Sequence, residues 1–135
     1  TSYTITSLQA NTTYNIEVSG YYGSLEGLKK LISQKTAPMP PTNFAIVSRP
    51  LNSASFTWNA SAGATKYYIY QELVNGELLR ATTTSTSVTI GGLPNGYYTF
   101  YVRAYNGLES NPSNIVRIRK SIPLDPNPTP PPVEM

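Results

Sequence analysis

From Leu93 to Gly107 the chain alternates with period two. Tyr98, Phe100, Val102 and Ala104 fall on one face, and Thr99, Tyr101, Arg103 and Tyr105 fall on the other. Turn signals bracket the run, Pro94-Asn95-Gly96 before it and Asn106-Gly107 after it. One apolar face and one polar face predict a half-buried antiparallel strand. A second stretch carries the same pattern near the N-terminus, where Tyr14, Ile16 and Val18 share a face after Leu8. These two runs are the frame on which the other elements can be placed.

The remaining pattern is short, alternating and rich in β-branched residues. Residues 1–8 read as a strand, residues 13–21 as a second and residues 28–36 as a less regular third. Residues 24–27 read as a loop, although the spacing from Leu25 to Leu31 also suits a short helical turn. Three prolines in Pro38-Met39-Pro40-Pro41 then mark a boundary, because proline cannot donate to a sheet interior. Beyond it, strands are predicted over residues 43–48, 54–59, 66–73, 77–83, 86–90, the Leu93–Gly107 stretch and 115–119. Seven strands in about 80 residues with no helical segment predict an antiparallel sandwich. From Ile122 onward the composition changes. Six prolines among residues 123–135 predict an extended polyproline II linker, and Pro128-Thr129-Pro130-Pro131 also fits a PxxP docking pattern.

Composition narrows the chemistry. The 135 residues include no Cys and no His, which removes thiol nucleophiles, Cys–zinc sites, disulfides and the commonest general base. No apolar run approaches the ~20 residues that span a bilayer, so membrane insertion is not expected. Ten basic and seven acidic residues give a net charge of +3 without a basic block, so a nucleic-acid partner is not indicated. The seven carboxylates, Glu17, Glu26, Glu72, Glu77, Glu109, Asp125 and Glu134, read as isolated and solvated. No catalytic constellation, metal set or cofactor loop emerges, and the chain is not expected to be an enzyme. Asn11-Thr12-Thr13 and Asn59-Ala60-Ser61 match the N-glycosylation pattern, which this Asn-, Thr- and Ser-rich composition produces readily by chance.

The two framing runs belong to an internal repeat of domain size. Thr1–Leu8 lies over Thr86–Leu93 at an offset of 85 residues, and Tyr14, Ile16 and Val18 lie over Tyr98, Phe100 and Val102 at 84. Together with Trp58, Tyr67-Tyr68-Ile69-Tyr70 and Ser110-Asn111-Pro112-Ser113, these residues resemble the fibronectin type III domain family. The run Trp58–Tyr67 is most similar to its bacterial accessory modules in secreted polysaccharide hydrolases, surface proteins and phage structural proteins. The resemblance covers residues 1–121. It implies an all-β, immunoglobulin-like antiparallel sandwich over residues 38–121, preceded by the last three strands of another module at 1–37 and followed by a linker at 122–135. It further implies structural roles for Trp58, Leu93, Tyr98, Leu8 and Tyr14, with Tyr98 and Tyr14 as corner tyrosines whose phenols bond nearby backbone. One departure is that Leu93 and Tyr98 are five positions apart, where the family more often has six, as Leu8 and Tyr14 do.

Residues 1–37 offer an apolar face, Tyr3, Ile5, Leu8, Tyr14, Ile16 and Val18, without a facing sheet. The expected source of the missing strands is sequence preceding Thr1, and the alternative is donation by another copy. The candidate binding face is the outer side of the second sheet, with Tyr68, Tyr70, Tyr101, Arg103, Tyr105, Arg117 and Arg119. Such a face suits stacking on sugar rings or pairing with acidic groups, and it equally suits cross-strand pairs that only stabilise the sheet. The expected function is an extracellular, non-catalytic spacer or interaction module of a secreted, cell-surface or virion protein, contacting neighbouring domains or copies of itself. A carbohydrate-binding accessory with a polysaccharide partner, or a filament or phage-tail subunit, are the alternatives.

Overall fold

The computed structural model describes residues 1–121; the proline-rich expectation for 122–135 falls outside the described residues. Eleven strands follow in order: β1 (Thr13–Val18), β2 (Tyr21–Tyr22), β3 (Leu25–Glu26), β4 (Lys30–Lys35), β5 (Thr42–Ser48), β6 (Ala54–Asn59), β7 (Lys66–Leu73), β8 (Gly76–Thr83), β9 (Ser87–Ile90), β10 (Gly96–Tyr105) and β11 (Val116–Lys120). Strands β5–β11 match the seven predicted from the alternating pattern, with ends shifted by one to three residues where they differ. They form a first sheet in the order β5-β6-β9 and a second in the order β11-β10-β7-β8, every pair antiparallel.

Alternation explains the core. Ala54, Phe56 and Trp58 of β6 point inward, as do Tyr67 and Ile69 of β7 and Phe100, Val102 and Ala104 of β10. The first sheet's Phe56 meets the second sheet's Phe100 at 5.2 Å between ring centroids, and Trp58 meets Tyr67 edge-on at 5.5 Å. Phe44 stacks on Phe56 from β5 at 5.1 Å. Leu93, fully buried, seals the base where the chain crosses between sheets, and its N–H donates to the Asn52 carbonyl at 2.8 Å.

Both corner tyrosines bond backbone, in opposite senses. The Tyr98 hydroxyl donates to the Pro94 carbonyl at 2.9 Å, whereas the Tyr14 hydroxyl accepts the Gln9 N–H at 2.9 Å. Gln9 and Pro94 each follow the leucine of their copy. Proline has no N–H to give, so the phenol turns to the carbonyl instead.

The upper part of β10 lies beyond the reach of β11, whose pairing ends at Phe100 opposite Val116. Two serines take over that edge. Ser113 Oγ accepts the Val102 N–H at 3.0 Å while the Ser113 N–H donates to the Val102 carbonyl at 2.9 Å. Ser110 repeats the exchange with Ala104 at 2.9 and 2.8 Å. Asn114 then ties this edge to the other sheet: its amide accepts the Phe44 N–H at 3.0 Å and donates to the Phe44 carbonyl at 2.8 Å. Phe44 needs that partner because the β5–β6 register shifts between Thr42 and Ala45. Lys120, buried despite its charge, donates to the carbonyls of Pro50 and Ser53.

Residues 1–37 depart from expectation in two places. Residues 1–8 form no strand. The corresponding β9 receives its ladder bonds from β6, and the described residues provide no such neighbour for 1–8, so β propensity alone leaves them irregular. The second predicted strand stops at Val18, and the chain then folds back as a small β2–β3 hairpin at Gly23, φ 61°, where a loop or helical turn was expected. The third becomes β4 and pairs with β1, setting Ile32 against Ile16.

Replacing Ser113 with Ala strands the buried Val102 N–H, which is expected to cost about 1–3 kcal/mol. Urea unfolding of the chain measures this, and a loss indistinguishable from zero would show that β10 does not depend on the serine.

Candidate functional site

The antiparallel register of β7 and β10 sets Tyr70 opposite Tyr101, Tyr68 opposite Arg103 and Lys66 opposite Tyr105. All six side chains lie on the sheet face away from the core, so neighbours across the strands are within contact. Tyr70 and Tyr101 stack at 5.7 Å, and Tyr68 meets Tyr105 edge-on at 5.4 Å. The Arg103 guanidinium lies 5.5 Å from the Tyr101 ring centroid and 5.8 Å from that of Tyr70. The Lys66 ammonium lies 4.8 Å from Tyr105 and 5.4 Å from Tyr68. Two cations thus sit among four phenol rings, and each ring contact of Arg103 contributes on the order of 0.5–1 kcal/mol where water has access.

Two carboxylates complete the cluster, which corrects the expectation that they are isolated. Glu77, just past the β7–β8 turn, accepts the Tyr101 hydroxyl and lies 3.5 Å from Arg103 Nη2. Glu109 accepts the Tyr70 hydroxyl. Arg103 Nη1 also donates to the Ser110 carbonyl at 3.0 Å, and its buried Nε has no partner. Elsewhere Glu17 pairs with Lys29 at 3.5 Å and Glu26 accepts from Ser19 at 2.6 Å. Burial, and then the bond to the Glu109 carboxylate, push the Tyr70 phenol well above its ordinary value, since ionising it would set two negative charges together. The Tyr68 hydroxyl likewise raises Lys66, chiefly through a side-chain hydrogen bond.

The seven residues singled out from the sequence therefore divide. Tyr68, Tyr70, Tyr101, Arg103 and Tyr105 come together, but Tyr101 is only 8% exposed beneath its neighbours. It points outward, yet it offers almost no surface. Arg117 and Arg119 are exposed further along the sheet, opposite Thr99 and Tyr97, and Arg119 lies over Tyr97 at 5.7 Å. Tyr97, 79% exposed, and Lys66 escaped the sequence reading, although both belong to the outward set of their strands. Among the described residues no group of three or more acidic, Cys or His side chains could hold a metal, and no helix is long and apolar enough to cross a membrane.

Residues 39–119 match the fibronectin type III domain family. The chain is 33% identical over 136 aligned positions to Chitinase A1 of Niallia circulans, covering 88% of this chain and 19% of that protein. It is 31% identical over 129 positions to human Fibronectin type III domain-containing protein 7, covering 93% of the chain and 18% of that protein. The chain thus spans about a fifth of the length of these curated relatives. Among solved structures, an Fn3-like protein from Clostridium thermocellum is 30% identical with a TM-score of 0.54, covering 67% of this chain and all of that one.

Because the Tyr70 phenol ionises less readily folded than unfolded, its contribution is complete below pH 10.0, its ordinary value, and is lost as pH rises through the raised folded value. The chain is expected to weaken above that pH, and Tyr70→Phe to show a shallower decline than the wild type. Urea midpoints measured from pH 8 to 11 test this, and parallel curves would contradict it.

Proposed function

Because this chain belongs to the fibronectin type III domain family, we propose that it is a non-catalytic spacer and interaction module of a larger protein. The observation that carries this reading is one of proportion. A segment of this size makes up 19% of a bacterial chitinase and 18% of a human fibronectin type III domain-containing protein, so the unit travels as a part among other parts. Modules of the family are generally non-catalytic, and the fold itself serves many unrelated roles. In this reading residues 1–37 are the closing strands of one module, 38–121 are a complete second module and 122–135 are a linker. The larger protein is secreted, displayed on a cell surface or part of a virion.

The internally paired Tyr/Arg cluster supports a mainly structural face. Two of its four hydroxyls, those of Tyr70 and Tyr101, are spent on Glu109 and Glu77, and its cations lie over its own rings. In the larger protein, exchanging residues 39–119 for an unrelated sandwich of equal length should preserve activity, and deleting them should impair it. Loss of activity on exchange would replace the spacer reading with a specific contact.

The likeness to a chitinase favours one second reading, a polysaccharide-binding accessory that uses the exposed ring of Tyr97 beside Arg119, with Tyr68 further along the same outer face. If so, Tyr68→Ser combined with Tyr97→Ser lowers co-sedimentation with insoluble chitin at least tenfold at an unchanged melting temperature. Equal retention of the two proteins on the polymer rejects it.

A further inference from the structure

The connection between residues 1–37 and the sandwich is an assembled joint. Asn11 adopts a left-handed backbone, φ 47°, which Asn tolerates better than most residues. Its N–H donates to the Ala37 carbonyl at 2.8 Å, binding the loop before β1 to the connection after β4. Thr36 reinforces this: its N–H donates to the Thr12 carbonyl at 3.0 Å, and its hydroxyl accepts the Thr12 N–H at 3.0 Å and donates to the Gln9 carbonyl at 2.6 Å. Pro38 and Pro41 are both buried, so the chain between the parts is packed down.

The sandwich reaches back across this joint from two loops. Asn106, at the end of β10, donates its side-chain amide to Asn11 Oδ1 at 2.9 Å and to the Thr36 carbonyl at 3.0 Å. Its own Oδ1 accepts the Leu108 N–H at 3.2 Å, so both ends of the amide are fixed. Gly63, in the β6–β7 loop at φ 75°, lies directly against the Asn11 amide; a Cβ there would stand 2.0 Å from Asn11 Nδ2. Two independent features, a doubly used amide and a glycine forced by contact, thus converge on one asparagine.

We propose that Asn106 and Gly63 form a latch on Asn11 that holds the β1–β4 unit at one fixed angle to the following sandwich. This deepens the spacer reading on which it rests. The joint acts as an elbow set at one angle, and successive outer faces keep a constant rotational relation. The side-chain amide supplies direction, because its planar NH2 must meet two acceptors at once. The glycine supplies proximity, because any side chain pushes the Asn11 loop away.

Residual dipolar couplings on the 135-residue chain test the latch. In the wild type, the amides of β1 and β4 and those of β5–β11 should fit one alignment tensor. Asn106→Ala should require two, with the Phe100 and Ile69 amide shifts unmoved to show that the sandwich remains folded. Gly63→Asn keeps a residue tolerant of positive φ but fills the contact, and should also require two tensors. Adding Asn11→Gly to it empties the space again without restoring the Asn106 bond, so two tensors should persist while the amide shifts of the β6–β7 loop return. A wild-type chain that already needs two tensors, or β1 and β4 couplings that average toward zero, overturns the proposal. So does an Asn106→Ala chain that fits one tensor. A rigid wild-type chain found to bind chitin would leave the latch intact and remove only the spacer reading.

Discussion

The sandwich depends on the contact between Phe56 and Phe100, one aromatic ring from each sheet, both shut away from water. Burial of each such side chain contributes about 1.5–3 kcal/mol, and Trp58 against Tyr67 is a second aromatic bridge between the sheets. Phe44 and Tyr98 stack on opposite ends of the phenylalanine pair, at 5.1 Å from Phe56 and 6.0 Å from Phe100. The row of rings fixes which faces of β6 and β10 turn inward. It therefore also fixes which face of β10 carries Tyr101, Arg103 and Tyr105 to the outside. Core and candidate surface are two consequences of one register.

What the aromatic row leaves open is the accounting of backbone groups at the sheet edges, and the chain closes it with side chains. Ser110, Ser113 and Asn114 act as substitute strand where β11 has not yet begun. Lys120 serves a similar end at the opposite pole, supplying donors to the carbonyls of the β5–β6 turn. Its charge tolerates burial because those carbonyls accept its hydrogen bonds.

Most strands of the sandwich were legible because they alternate and are bounded by Gly, Pro or Asn, although only Thr and Ser separate β8 from β9. Period two states which way Tyr101 points, but not that Tyr70, Glu77 and Arg103 cover it. Glu77 and Glu109 looked solitary for a related reason. Glu77 meets Tyr101 only because β7 lies between β8 and β10, and Glu109 meets Tyr70 only because of the path of the loop after β10. Such contacts arise from pairing order, which no local window contains. The irregular course of residues 1–8 teaches the converse: a sequence suited to a strand still needs a neighbour before it becomes one. Asn11, Gly63 and Asn106 each looked like an ordinary loop residue, and only their convergence gives them a shared role.

Asn11 begins the triplet Asn11-Thr12-Thr13, which matches the acceptor pattern for N-linked glycan. The nitrogen that pattern would modify is the one facing Gly63, where a Cβ on the glycine would stand 2.0 Å away. The atom a glycan would need is thus already committed to the packing of the joint.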